Sequence, residues 1–138
     1  MILDKPAMIK DLLDKSKNIA VVGMSPNPER DSNKVGKYLI DKGYNVIPVN
    51  PTVTEIYGKK AYPTILEIPK DIKIDIVDIF RNPEASKEVV LQAQSIGPRA
   101  VWLQLGAESP DVIKTALSKN LDVVYGICIM VTHQKMSN

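Results

Sequence analysis

Five short apolar runs punctuate this chain, each closed by a glycine, a proline or a polar residue. They are NIAVVG (18–23), YNVIPVNP (44–51), KIDIVDIF (73–80), RAVWLQLG (99–106) and LDVVYG (121–126). Each is rich in Val, Ile or Leu and too short for an ordinary helix. Most are continuously apolar rather than alternating, which implies burial on both faces, the condition of strands inside a parallel sheet.

The segments between them carry apolar residues at helical spacing. Met8, Ile9, Leu12 and Leu13 line one face of Ala7–Lys17, and Val35, Leu39 and Ile40 line one that starts at Asp31 and stops at Gly43. Pro83 suits the first turn of a third helix striped by Val89, Val90, Ala93 and Ile96 and stopped by Gly97-Pro98. A fourth starts at Pro110, capped by Ser109 or Glu108, and ends near Asn120. Strands alternating with helices of this length predict βαβ crossovers. The expected fold is α/β: a doubly wound, five-stranded, mostly parallel sheet with helices on both faces, in one domain over residues 1–138.

Some stretches fit less well. Pro48 cannot donate to a ladder and is expected near its strand's end. Residues 51–73 read as irregular, with a short helical turn around Thr64–Glu67. Asp75 and Asp78 leave the burial of the third strand open, and the segment around His133 reads as a polar, flexible tail.

The net charge of +2, without a run of five or more like charges, gives no footprint for nucleic acid or an anionic membrane surface. One cysteine, Cys128, excludes an internal disulfide and a cysteine-rich zinc site. The N-terminus lacks the continuous apolar stretch of a signal peptide, and the longest apolar run, Val123–Val131, is far short of a membrane span. A cytoplasmic protein is expected.

In open α/β sheets ligands bind beyond the C-terminal ends of the strands, where strand order reverses. The residues there are Gly23-Met24-Ser25-Pro26, Asn50-Pro51, Phe80-Arg81-Asn82 and the loops at Gln104 and Cys128. Only Gly23 of the dinucleotide G-x-G-x-x-G fingerprint is present, and Asn50 stands where an acid would hold the ribose of NAD. NAD is therefore disfavoured. The loop does offer what phosphates require: Ser32 or Asp31 as a cap for the next helix, whose N-terminus favours anions, with Arg30, Lys34, Ser25 and Asn33 as donors. Asp31 reads as that cap or as a partner of Arg30.

The stretch VVGMSPNPERDSNKVGKYLIDKGYNVIPVNP, with GKKAYPTILEIP, IDIVDIFRNPE and VWLQLG, resembles the small CoA-binding, Rossmann-like proteins, similar to the CoA-binding N-terminal domain of the succinyl-CoA synthetase alpha subunit. The likeness runs from about Ala7 to Met130, and its most specific pieces are Gly23-x-Ser25-Pro26 with Arg30, and Val49-Asn50-Pro51. It implies coenzyme A, or an acyl-CoA, lying across the strand ends. Gly23, Met24, Ser25 and Pro26, with Arg30, Ser32, Asn33 and Lys34, would meet the phosphates. Asn50, Pro51, Ile79, Phe80 and Arg81 would border the adenosine end, with Pro48 and Val49 as further candidate walls. The phosphohistidine domain of the synthetase has no counterpart, so ligase activity by this chain alone is not expected.

No nucleophile–base pair, metal-ligand spacing or Walker loop is evident. The expected function is a non-catalytic CoA carrier or regulator, or one part of a larger acyl-CoA complex. A homo-oligomer or a protein partner is compatible with it. Alternatives are a minimal NAD(P)-binding oxidoreductase and an interaction module with a decayed ligand site.

Overall fold

The five apolar runs all become strands in the computed structural model, which describes residues 1–137. In chain order the elements are α1 (Pro6–Lys15), β1 (Asn18–Val22), α2 (Asp31–Asp41), β2 (Asn45–Val49), β3 (Glu55–Ile56), β4 (Lys59–Lys60) and a 3-10 turn (Ile65–Glu67). Then follow β5 (Ile76–Ile79), α3 (Pro83–Ile96), β6 (Ala100–Leu103), α4 (Pro110–Ser118), β7 (Val123–Tyr125) and α5 (Ile129–Met136). The main sheet has the order β2-β1-β5-β6-β7, and every pairing in it is parallel. This is the expected Rossmann-like, doubly wound arrangement, and the order reverses between β1 and β5.

Period-two alternation distributes the core between the two sheet faces. Ala20, Val22, Val77, Ile79, Val101 and Leu103 pack under α3 and α4, which contribute Val90, Ala93, Val112 and Ala116. Ile19, Val21, Ile76, Ala100 and Trp102 pack under α1, α2 and α5. Trp102, fully buried, satisfies its indole N–H on the carbonyl of Ile127 at 2.9 Å. Pro48 is tolerated because β2 is an edge strand. Its carbonyl accepts from Tyr62 N at 3.1 Å on the outer side, so the missing donor falls where no ladder runs.

Three features differ from expectation. Residues 55–60 form a hairpin whose turn residues Tyr57 and Gly58 both have positive φ, 53° and 72°. A tyrosine in the first of those positions carries none of the usual Asn-Gly or Asp-Gly signature. The segment around His133 is helix rather than flexible tail, because Ile129 and Thr132 turn onto the core. His133 Nδ1 and the Tyr38 hydroxyl share a hydrogen bond of 2.6 Å, which ties α5 to α2. Finally, the N-cap of α2 is Arg30, without a side-chain cap bond, so neither Asp31 nor Ser32 caps it.

Burial and the nearby Lys42 hold the His133 pKa below its ordinary value. A depressed base binds fewer protons folded than unfolded, so the contribution of His133 is present above about pH 6.5 and fades as pH falls. Exchange of His133 for Gln should flatten the stability profile over that acidic window, as read by urea melts at several pH values.

Both aspartates of β5 and its approach are buried, with opposite surroundings. Asp75 accepts from the amides of Lys17 and Asn18 at 2.8 and 3.0 Å and from Arg99 Nε at 3.1 Å. Burial raises its pKa, but the two amides and Arg99 more than offset that and leave it lowered. It joins the entry ends of β1, β5 and β6. Asp75→Ala should therefore cost about 1–3 kcal/mol by orphaning buried donors, measured by denaturant unfolding at neutral pH. The loss should shrink as pH falls through the lowered folded value, where the native carboxylate itself is protonated. Asp78 is fully buried, and neither of its oxygens has a hydrogen-bond partner among the described residues.

Candidate functional site

The reversal of strand order leaves a crevice where β1 and β5 end, with Gly23 on one side and Phe80 on the other. Phe80 N donates to Val22 O at 2.9 Å and Gly23 N to Val49 O at 2.8 Å, which holds the three strand ends together. Gly23 has φ +84°, and a β-carbon there would run into the backbone carbonyl of Phe80. Only glycine lets the two chains approach this closely without obstructing the crevice.

Three cavities adjoin along this rim. The middle one, about 570 Å³, is lined by Gly23, Ser25, Glu29, Arg30, Asp31, Ser32 and Phe80. It sits on the first turn of α2. The amides of Asn33 and Lys34 already bond to Arg30 O, whereas those of Asp31 and Ser32 have no partner among the described residues. Free first-turn amides and the positive end of the helix dipole favour an anion.

A second cavity, about 690 Å³, opens toward α3, with apolar walls from Val22, Val49, Pro51, Pro63 and Ile65. Arg81, Glu84 and Glu88 supply its charges. The third, about 260 Å³, lies toward β6 and α5 and shares Asp31 and Phe80 with the middle one. Lys34 and Cys128 line it as well.

The sequence-predicted residues divide into lining and scaffold. Arg30, Lys34 and Arg81 fall one to each cavity, and none forms an ion pair among the described residues. Asp31, the alternative partner of Arg30, accordingly does not pair with it. Asn33 is buried and donates to Ser25 O at 2.8 Å while accepting from the Tyr57 hydroxyl. Ser32 Oγ accepts from Ser25 N at 2.9 Å. Asn50 donates to Met24 O at 2.9 Å and accepts from Thr52 at 2.8 and 2.7 Å.

These three side chains therefore shape the loop from within. The Met24 side chain is fully buried and lies against Gly36. Ile79 is also fully buried, facing the α3 side of the core. Pro26 lines none of the three cavities.

Sequence reasoning did not find Pro63, Glu84 or Glu88. The first is brought to the strand end by an isolated parallel bridge between Val49 and Tyr62. The others lie on the first two turns of α3, whose start Asn82 fixes by accepting from Ala85 N at 2.8 Å. Among the described residues no group of three His, Cys, Asp or Glu could hold a metal, and no helix is long and apolar enough to cross a membrane.

Fold and site together define a doubly wound α/β domain with an anion-favouring loop at its switch point. The chain belongs to the CoA binding domain family, whose model matches residues 17–134. It is 39% identical over 127 residues to the uncharacterized protein YneT of Bacillus subtilis, covering 92% of this chain and 93% of that one. A hypothetical protein from Pyrococcus horikoshii superposes with a TM-score of 0.93 at 40% identity, over 98% of this chain and 94% of the other. The dinucleotide-forming acetyl-coenzyme A synthetase 1 of Ca. Korarchaeum cryptofilum contains a similar unit, with a TM-score of 0.67 and 26% identity. That match covers 78% of this chain and only 25% of the synthetase chain.

Proposed function

We propose that this crevice binds coenzyme A, free or acylated, and that the chain serves as a non-catalytic carrier or regulator, or as one part of a larger acyl-CoA complex. The observation that carries this reading is the spacing of Arg30, Lys34 and Arg81, which form no ion pair among the described residues and lie along one rim centred on the N-terminus of α2. A dinucleotide without further phosphates would need cations beside the middle cavity alone. Coenzyme A also carries a ribose 3′-phosphate, and a cation beside the adenosine cavity suits it.

In this arrangement the diphosphate meets the Asp31 and Ser32 amides and Arg30. The adenosine occupies the cavity walled by Val49, Pro51 and Pro63, where Glu84 and Glu88 can accept from its amino or hydroxyl groups. Arg81 answers the 3′-phosphate. The pantetheine arm runs past Phe80 toward Cys128. On this reading the crevice performs no chemistry on the thioester, and Cys128, which lines the third cavity, has no role as a nucleophile.

Calorimetric titration tests this directly. Arg30→Ala should weaken CoA binding by about 1–3 kcal/mol, the range for a charge-assisted hydrogen bond. Native protein should bind CoA more tightly than dephospho-CoA, and Arg81→Ala should remove that difference. Equal affinity for both ligands in the native protein would take Arg81 and the 3′-phosphate out of the reading.

A further inference from the structure

The cavity at the β6 and α5 end has two unlike sides. On the α2 side stand Asp31 and Lys34, and on the other stand Leu105, Cys128 and Met130. The polar residue between them, Gln104, is 4% exposed, and its side-chain carbonyl accepts from Ile129 N at 3.1 Å at the start of α5. It faces inward and completes a helix end.

Beyond the cavity, the loops after β6 and β7, the end of β7 and the first turn of α5 carry further apolar residues. Leu105 is 68% exposed, Tyr125 38%, Ile127 37% and Val131 40%. These are four of the eight large apolar residues left exposed among the described residues. The other four, Met1, Tyr57, Leu66 and Leu91, lie on separate segments. Neither residues 104–108 nor residues 125–131 include a lysine or arginine, and Glu108 is the one charged side chain there. A patch of this kind on a soluble surface marks a place where apolar matter is covered.

Resting on the coenzyme reading above, we infer that the acyl group presented at this end is an uncharged aliphatic chain rather than a dicarboxylic one. The middle cavity anchors the phosphates, and the cavity that shares Asp31 and Phe80 with it leads the arm toward Cys128. A thioester at that depth projects its acyl chain onto Leu105, Ile127 and Val131. Methylenes laid there leave water. Lys34, on the α2 side, is the one cation lining the cavity, and the segments beyond it hold no lysine or arginine, so a terminal carboxylate laid there would lose hydration without a cation to replace it.

The test is calorimetric titration of the intact chain with CoA and with acetyl-, butyryl-, hexanoyl- and succinyl-CoA. Full burial of a methylene strengthens binding about fourfold, and a half-open groove should retain about twofold for each. Hexanoyl-CoA should therefore bind about tenfold or more tighter than acetyl-CoA. Succinyl-CoA should bind more weakly than butyryl-CoA, its match in chain length. Leu105→Ser alters an exposed residue and should reduce the hexanoyl advantage several-fold, with CoA titrated alongside as the measure of an intact phosphate site.

Tight CoA binding with no gain from chain length would overturn this inference and leave the coenzyme reading standing. A chain-length gain that survives Leu105→Ser would place the acyl group elsewhere and also overturn it. Failure of CoA and every thioester to bind would remove the coenzyme reading itself.

Discussion

Gly23→Ala should destabilise the protein by about 3 kcal/mol or more and should abolish ligand binding in the crevice beside it. Two effects add. Alanine at φ +84° occupies a backbone region that L residues adopt only under strain, at a cost of about 1–3 kcal/mol. Its methyl would also press on the carbonyl of Phe80, which is backbone and cannot rotate away, and overpacking of this kind adds a further 1–3 kcal/mol. Relief requires β1 and β5 to part at their C-terminal ends, where the crevice is built.

Gly97→Ala provides the internal control. Gly97 has φ +67° at the C-terminal end of α3, with open space where its β-carbon would be. That variant bears the conformational strain alone and should keep full ligand affinity. Denaturant unfolding and ligand titration of the pair separate the two contributions. Equal losses for both variants would mean that the contact with Phe80 is of no consequence.

Asp78→Asn should make the protein more stable at neutral pH, with a gain that vanishes in acid. Burial in the middle of the sheet pushes the Asp78 carboxyl well above the usual carboxylate range. Its neighbours in register are Val21 and Trp102, which offer no acceptor or cation to the carboxyl. The folded form thus retains a proton that the unfolded chain releases near its ordinary pKa of about 3.9.

With the folded value raised, the native state binds more protons than the unfolded state between the two pKa values. Stability therefore falls as pH rises above about 4, by up to about 1.4 kcal/mol per pH unit, until the folded value is passed. Asparagine has nearly the same shape and no such titration. The two proteins should have similar stability near pH 3 and diverge steadily above it. Parallel stability profiles from pH 3 to 8 would show that Asp78 ionises in the folded protein as readily as in the unfolded chain.

The contrast between Asp75 and Asp78 shows where reading the sequence runs out. Two aspartates three residues apart in KIDIVDIF left the burial of that strand open. Both are buried, one with amide and guanidinium partners and one without. Those partners come from Lys17, Asn18 and Arg99, and nothing local to the strand announces them. The five strands were legible because burial on both sheet faces demands an unbroken apolar run. The first four helices were legible from their stripes and their stop or start residues.

α5 was not, because its inward side consists of little more than Ile129, Thr132 and Met136, too sparse for a periodic signal. The site followed the same division. Gly23, Arg30 and Arg81 lie where the ends of apolar runs suggested. The internal employment of Asn33, Ser32 and Asn50 depends on how the loop folds over itself. Pro63 and Glu88 reach the rim only through a strand bridge and the direction of a helix.

The most direct measurement is a 15N amide shift map of the protein titrated with coenzyme A. Coenzyme seated at the switch point should move the resonances of Gly23, Asp31 and Ser32 most, with a second group at Arg81 and Glu84 that weakens when dephospho-CoA is used. Shifts confined to another face of the molecule, or none at saturating coenzyme, would contradict it.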